Sequence, residues 1–257
     1  MQPATQDNAS IQFSKVPQVT LFFWVIKILC TTLGEIGGDA VTMSMNLGYL
    51  VGTFIFAAIF LVAVFAQIRA KGFHPYIYWI TIIATTTVGT TMADFADRSL
   101  GMGYAGGASL LLVLLLASLG IWYWSAGSVS VNTVNTPKVE MFYWITIMFS
   151  QTLGTALGDW TADSEGLGYG GGIIVFGTLL AIVAACHFWT RISKTLLFWA
   201  AFILTRPLGA VLGDFLDKPL DHGGLNLSRY SASIALVVLI FAGVRFLPQR
   251  AAENSSH

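Results

Sequence analysis

Charge is what this chain has least of. Its 257 residues carry 13 Lys and Arg against 13 Asp and Glu, about 10% in all, where a soluble domain carries roughly a quarter. The balance is zero, so no basic surplus points to a nucleic-acid partner. Cysteine is nearly missing too. Cys30 and Cys186 both sit inside apolar stretches, which excludes a disulfide framework and a metal-knuckle spacing. His74, His187 and His222 are scattered, and no Cys/His cluster exists to favour Zn²⁺ or Cu⁺. No nucleophile elbow, metalloprotease helix or phosphate-binding loop occurs, so no enzyme is expected. Met1 to Gln18 is polar and lacks a basic region joined to a short apolar core and cleavage site. No cleaved signal peptide is expected, and the first span is its own insertion signal.

What abounds is hydrophobic length. Hydrophobic residues make up 55% of the chain, with a mean hydropathy of +0.72. Apolar runs of about 18–25 residues recur throughout, each long enough to cross a hydrocarbon core of ~30 Å. The chain therefore reads as an all-α polytopic membrane protein.

Asp39, Asp94, Asp159 and Asp214 stand 55, 65 and 55 residues apart and anchor an internal repeat. Trp24, Trp79, Trp144 and Trp199 lie 15 residues before them; Gly34, Gly89, Gly154 and Gly209 lie five before. Gly38, Ala93, Gly158 and Gly213 directly precede them, and Gly48, Gly103, Gly168 and Gly223 follow at plus nine. Tyr49, Tyr104 and Tyr169 stand at plus ten, where the fourth copy has Gly224. Each copy holds two spans, which predicts helices over about 18–39, 48–68, 76–96, 103–124, 141–161, 169–190, 195–215 and 229–247. Two spans per copy put every copy in the same orientation, so the four parallel two-helix repeats relate by a pseudo-symmetry axis along the membrane normal. The segment "SAGSVSVNTVNTP" accounts for the longer middle spacing and reads as a linker. The expected organisation is a polar tail at 1–17, a first half at 18–124, a linker at 125–138, a second half at 139–247 and a tail at 248–257.

In repeat number, spacing and its tryptophan column the chain resembles a family of bacterial membrane proteins made of four tandem repeats of unknown function, each with two spans. The resemblance covers about residues 18–247. It implies the topology and no activity.

Lys15, Arg69, Lys71, Lys138, Arg191, Lys194, Arg245 and Arg250 lie on the side of the N-terminus, against Arg98, Lys218 and Arg229 opposite. The bias places both termini in the cytoplasm, in the bacterial inner membrane. The acids are reversed, with only Asp7, Glu140 and Glu253 inside. Fifteen helical residues rise about 22 Å. If the tryptophans are interfacial anchors, the repeat aspartates lie roughly three-quarters of the way across.

Helical steps back from each Asp define a polar stripe. Glu35, Thr90, Thr155 and Ala210 stand at minus four; Thr31, Thr86, Gln151 and Arg206 stand at minus eight. The small residues at minus five and minus one form G-x-x-x-G or G-x-x-x-A beside it, a spacing that lets membrane helices approach closely. Lipid penalises such a face, so the odd helices are expected around a central axis with the even helices outside. A charged residue there costs ~2.5–3.5 kcal/mol on insertion scales. Glu35 and four aspartates face two internal cations, Lys27 and Arg206, and the shortfall is the argument for a bound cation. The competing expectation is that the aspartates only cap helix ends.

Carboxylate, hydroxyl and amide oxygens suit Mn²⁺, Ca²⁺ or Mg²⁺. The site residues expected for the metal are Glu35, Asp39, Asp94, Asp159 and Asp214. Thr31, Thr90, Thr155 and Gln151 add oxygens, and Lys27 and Arg206 serve as tethered counter-cations, Arg206 pairing with an aspartate of another copy. Asp97, Asp163 and Asp217, with Glu165 and Asp221, read as an acidic mouth. "GEIGGD" is similar in chemistry to the E-x-G-D-[KR]-[TS] motif of a family of Ca²⁺/Mn²⁺ exchangers. It departs in that three residues separate its acids, no basic residue follows, and the copies here are parallel. Pro207 removes a backbone hydrogen bond in the seventh helix and marks a candidate kink.

The expectation is a secondary transporter of a divalent metal cation, Mn²⁺ first, with protons as a coupling option and no cofactor beyond the cargo. Two alternatives stand beside it: a carrier of a small anionic or zwitterionic solute held by Arg206 and Lys27, and a structural or sensory membrane protein. The partners are the metal cation and the lipid bilayer, with homo-oligomerisation left open.

Overall fold

A computed structural model describes residues 13–164 and 166–253; Asp7 and Glu165 lie outside the described residues. Eight helices run α1 Leu21–Asp39, α2 Gly48–Arg69, α3 Pro75–Asp94, α4 Gly103–Ala126, α5 Pro137–Asp159, α6 Gly168–Trp189, α7 Lys194–Asp217 and α8 Arg229–Phe246. Local chemistry sets several starts. The Thr20 hydroxyl accepts from the Phe23 amide at the head of α1, and Thr136 does the same for Val139 at α5. Pro75 and Pro137 occupy first-turn positions, where no amide donor is required. For this reason α5 begins at Pro137, earlier than the apolar pattern alone predicts.

The repeat aspartates close α1, α3 and α5, each followed by one π-helical turn, at Ala40–Ser44, Phe95–Ser99 and Trp160–Ser164. In the fourth repeat α7 continues to Asp217 without one. The plus-nine glycines have a backbone reason: Gly48, Gly103, Gly168 and Gly223 take φ of 76°, 69°, 63° and 83°, a left-handed turn that favours glycine.

Packing follows a cycle. Helix α1 lies against α3, α3 against α5, α5 against α7, and α7 against α1, closing a ring of odd helices. Each even helix covers the odd helix of the next repeat: α2 on α3, α4 on α5, α6 on α7, and α8 back on α1. The expected halves therefore interlock, since α4 and α8 both cross between them. Six helices are long and apolar enough to cross a membrane. Helices α3 and α5 fall short of that apolarity because they are interior, and their polar residues meet protein, not lipid. On α3 the Thr81, Thr85 and Thr87 hydroxyls donate to carbonyls on their own helix at 2.7–2.8 Å. Among described residues only Gly52, Phe60, Ala63 and Gln67 of α2 are buried, whereas α3 buries most of its length.

The tails carry order that composition does not reveal. Strand β1 (Phe13–Pro17) pairs antiparallel with β2 (Ala251–Glu253), joining the two ends of the chain beside the α8–α1 seam. The linker packs here as well. Ser14 Oγ donates to the Val131 carbonyl at 2.6 Å, and Val134 is buried.

Candidate functional site

The ring is built from small residues. A methyl at Gly34 would overlap Thr86 of the next repeat; at Gly89, Gln151; at Gly154, Arg206; and at Gly209, Thr31. Each minus-five glycine thus receives the minus-eight side chain of the following copy, and the fourth copy receives the first. The minus-one position works alike, with Gly38 against Thr90, Gly158 against Ala210 and Gly213 against Glu35. Glycine lets the backbones approach closely enough to bring the polar stripes together.

At one end the aspartates meet in pairs. Arg98 Nε lies 2.9 Å from Asp94 Oδ1, and its NH2 lies 3.4 Å from Asp159 Oδ2 and 4.0 Å from Asp163. Lys218 Nζ lies 2.5 Å from Asp39 Oδ2 and 3.1 Å from Asp214 Oδ1. Arg229 bonds Asp217 and approaches Asp39 at 3.6 Å. Burial alone would lower the Lys218 pKa; the Asp214, Asp39 and Asp217 carboxylates around it raise it above the ordinary lysine value. Carboxylate oxygens of Glu35, Asp159 and Asp214 lie within 4.8 Å of one another, as do those of Asp39, Asp214 and Asp217, and all are buried. Asp159 Oδ1 is buried without a hydrogen-bond partner. Asp94 belongs to neither group and joins them through Arg98.

One turn further in, Arg206 crosses the axis. Its NH2 donates to Glu35 Oε2 at 2.9 Å, to Thr90 Oγ1 at 2.6 Å and to Thr155 Oγ1 at 2.5 Å. One guanidinium nitrogen therefore ties α7 to α1, α3 and α5. Helix α7 runs on through Pro207, whose ring packs near Gly154.

Beyond this layer the ring is floored by aromatics. Tyr78, Trp79, Tyr143 and Trp144 are 0–1% exposed, Trp199 4%, and the Tyr78 and Tyr143 hydroxyls meet at 2.7 Å. Trp79 Nε1 donates to Gln249, and Trp199 Nε1 to the Val129 carbonyl. The strands and linker close this end, with Lys15 Nζ 2.6 Å from buried Glu140.

Several expectations are corrected here. The tryptophan column is not an interfacial belt: three of its members are buried in the floor, because the face that carries the aspartates also carries them inward. Arg206 pairs with Glu35 and not with an aspartate. Lys27 is fully buried but reaches no acid; its Nζ lies 4.1 Å from the centre of the Phe202 ring. Thr31 spends its hydroxyl on the Lys27 and Ile28 carbonyls and offers no oxygen to the acids. Asp217 is buried against Arg229, so it is no part of a solvated mouth. Asp163 stays exposed and accepts from Tyr104 at 2.8 Å, while Asp97 sits against Gly107.

The expected charge shortfall also shrinks. Glu35, the four repeat aspartates and Asp217 are six acids facing Arg98, Arg206, Lys218 and Arg229, four cations, which leaves two negative charges. Arg98 and Lys218 read in sequence as loop cations. The signal that marks them is their place four residues after Asp94 and Asp214, one helical turn on, so each returns to its own aspartate while reaching the next copy's.

A ring of four parallel helix pairs, lipid-facing outside and polar within, defines a multi-pass membrane protein of four tandem repeats. The chain belongs to the family described as Repeat of Unknown Function (DUF347), which matches residues 22–73, 77–128, 142–193 and 197–250. No curated protein and no solved structure matches it.

Proposed function

We propose that the chain is a secondary transporter of a hard divalent metal cation, Mn²⁺ before Ca²⁺ or Mg²⁺, in a bacterial inner membrane with both termini cytoplasmic. The observation that carries this reading is the convergence of buried Glu35, Asp159 and Asp214 oxygens within 4.8 Å, beside an unpartnered Asp159 Oδ1. Oxygen-only ligands in a pocket of excess negative charge favour a hard cation over a soft one. Arg98 and Lys218 hold the aspartates of adjacent repeats while cargo is absent. Cargo competes with them for the same carboxylates, which couples loading to loosening of the seams between repeats two and three and between four and one. Excess carboxylates also give protons a place to exchange. No side chain acts as a nucleophile, and no resident cofactor is invoked.

The test is uptake into proteoliposomes. Wild-type protein moves Mn²⁺, and Asp159→Asn abolishes uptake while melting within a few degrees of wild type. Normal uptake by a folded Asp159→Asn protein, or no divalent uptake by wild type, overturns the proposal.

A further inference from the structure

The acids leave one set of polar groups unused. Just beyond the Arg206–Glu35 contact, each odd helix presents a buried side-chain donor with no hydrogen-bond partner: Lys27 Nζ from α1, Thr86 Oγ1 from α3, Gln151 Nε2 from α5, and Arg206 Nε and NH1 from α7. All four residues are 0% exposed. Thr86 and Gln151 lie one turn before Thr90 and Thr155, the residues that Arg206 NH2 touches. Lys27 lies two turns before Glu35, over the Phe202 ring at 4.1 Å. The donors therefore belong to one level of the ring, between the guanidinium and the aromatic floor.

Buried donors are nearly always satisfied, and a buried charge lacking a counter-ion is costly. Lys27 and Arg206 are two cations against one local acid, Glu35, an excess of one. Ammonium, guanidinium, hydroxyl and amide N–H all donate, and the aromatic layer below offers no base. We infer that this level is a binding site for a single small monovalent anion of halide type, separate from the carboxylates and independent of whether they carry a metal cation. One such ion neutralises the excess and accepts from all four odd helices at once, joining the four repeats across the axis.

The test is thermal melting of detergent-purified protein without divalent cations, in sodium chloride and in sodium gluconate of equal ionic strength. Chloride at a hundred times its dissociation constant raises the melting temperature by about 5–10 °C over gluconate, and bromide does the same. Lys27→Met and Thr86→Val, both close in size to the native side chains, each remove the chloride difference. Equal melting in the two salts overturns the inference, as does a chloride difference unchanged in both variants. Adding Mn²⁺ in the gluconate arm reads the carboxylate site by itself, so either site is able to fail without the other.

Discussion

Gly209 of the fourth repeat lies directly against Thr31 of the first, so the last repeat closes the ring that the first begins. A side chain at 209 would meet the Thr31 side chain and backbone, and neither yields cheaply. Gly209→Val should therefore destabilise by ~1–3 kcal/mol through overpacking, and lower the melting temperature by several degrees. Gly37, on the same helix as Thr31, has nothing within 4 Å of an added methyl. Gly37→Ala should leave melting unchanged or raise it, by up to about 1 kcal/mol of helix propensity. Calorimetry of both variants separates ring closure from a general intolerance of change in helices.

Arg206 and Glu35 form a buried pair 171 positions apart. Removing one partner leaves the other charge buried alone, at ~3–5 kcal/mol. Arg206→Met should be strongly destabilising, and Glu35→Gln in that background should recover much of the loss. A double-mutant cycle measures it; additive losses would show that the two groups do not share the contact.

Lys218 bridges Asp39 and Asp214 and so stands in competition with any incoming cation. Lys218→Met should lower the melting temperature of the ion-free protein and enlarge the stabilisation by Mn²⁺. An unchanged or smaller Mn²⁺ shift would argue against shared carboxylates.

The same lysine predicts a pH dependence. Its pKa in the folded protein lies above the ordinary value, so its stabilisation is complete below the unfolded pKa, ~10.4, and is lost only as pH climbs through the raised folded value. The difference in melting temperature between wild type and Lys218→Met should hold constant from pH 7 to 9. A difference that shrinks over that window would mean the ammonium is not held charged by its neighbours.

Lys15 and Glu140 tie the N-terminal strand to α5 at 2.6 Å. Glu140 is buried, so Lys15→Met strands its carboxylate and should cost stability on the scale of a broken buried pair, ~3–5 kcal/mol. Lys15→Met with Glu140→Met should recover most of it. Urea unfolding of the single and double variants, compared in midpoint, checks this.

Much of this architecture was legible in the order of residues. The aspartate, glycine and tryptophan columns mark four copies, their helical phase marks one polar face, and that face cannot meet lipid, so a ring of odd helices follows. The candidate site was legible in part. Glu35, Asp159 and Asp214 do converge, but Lys27 and Thr31, on the same stripe, serve other contacts. Phase tells which side of a helix a residue occupies and says nothing about how far a long side chain reaches. Lys27 turns to an aromatic ring, whereas Arg98 and Lys218, one turn past the aspartates, swing back onto them.

Sequence by itself determined the number of spans, their common orientation and the inward face, because these depend on local periodicity and on what a bilayer tolerates. Tertiary structure alone decided which helix covers which, that α8 seals α1, that the tails pair, and which cation answers which acid. Asp39 meets Lys218 across 179 positions, and no local spacing encodes such a meeting. It exists because glycine lets neighbouring backbones approach closely enough for the chain to return to its own beginning.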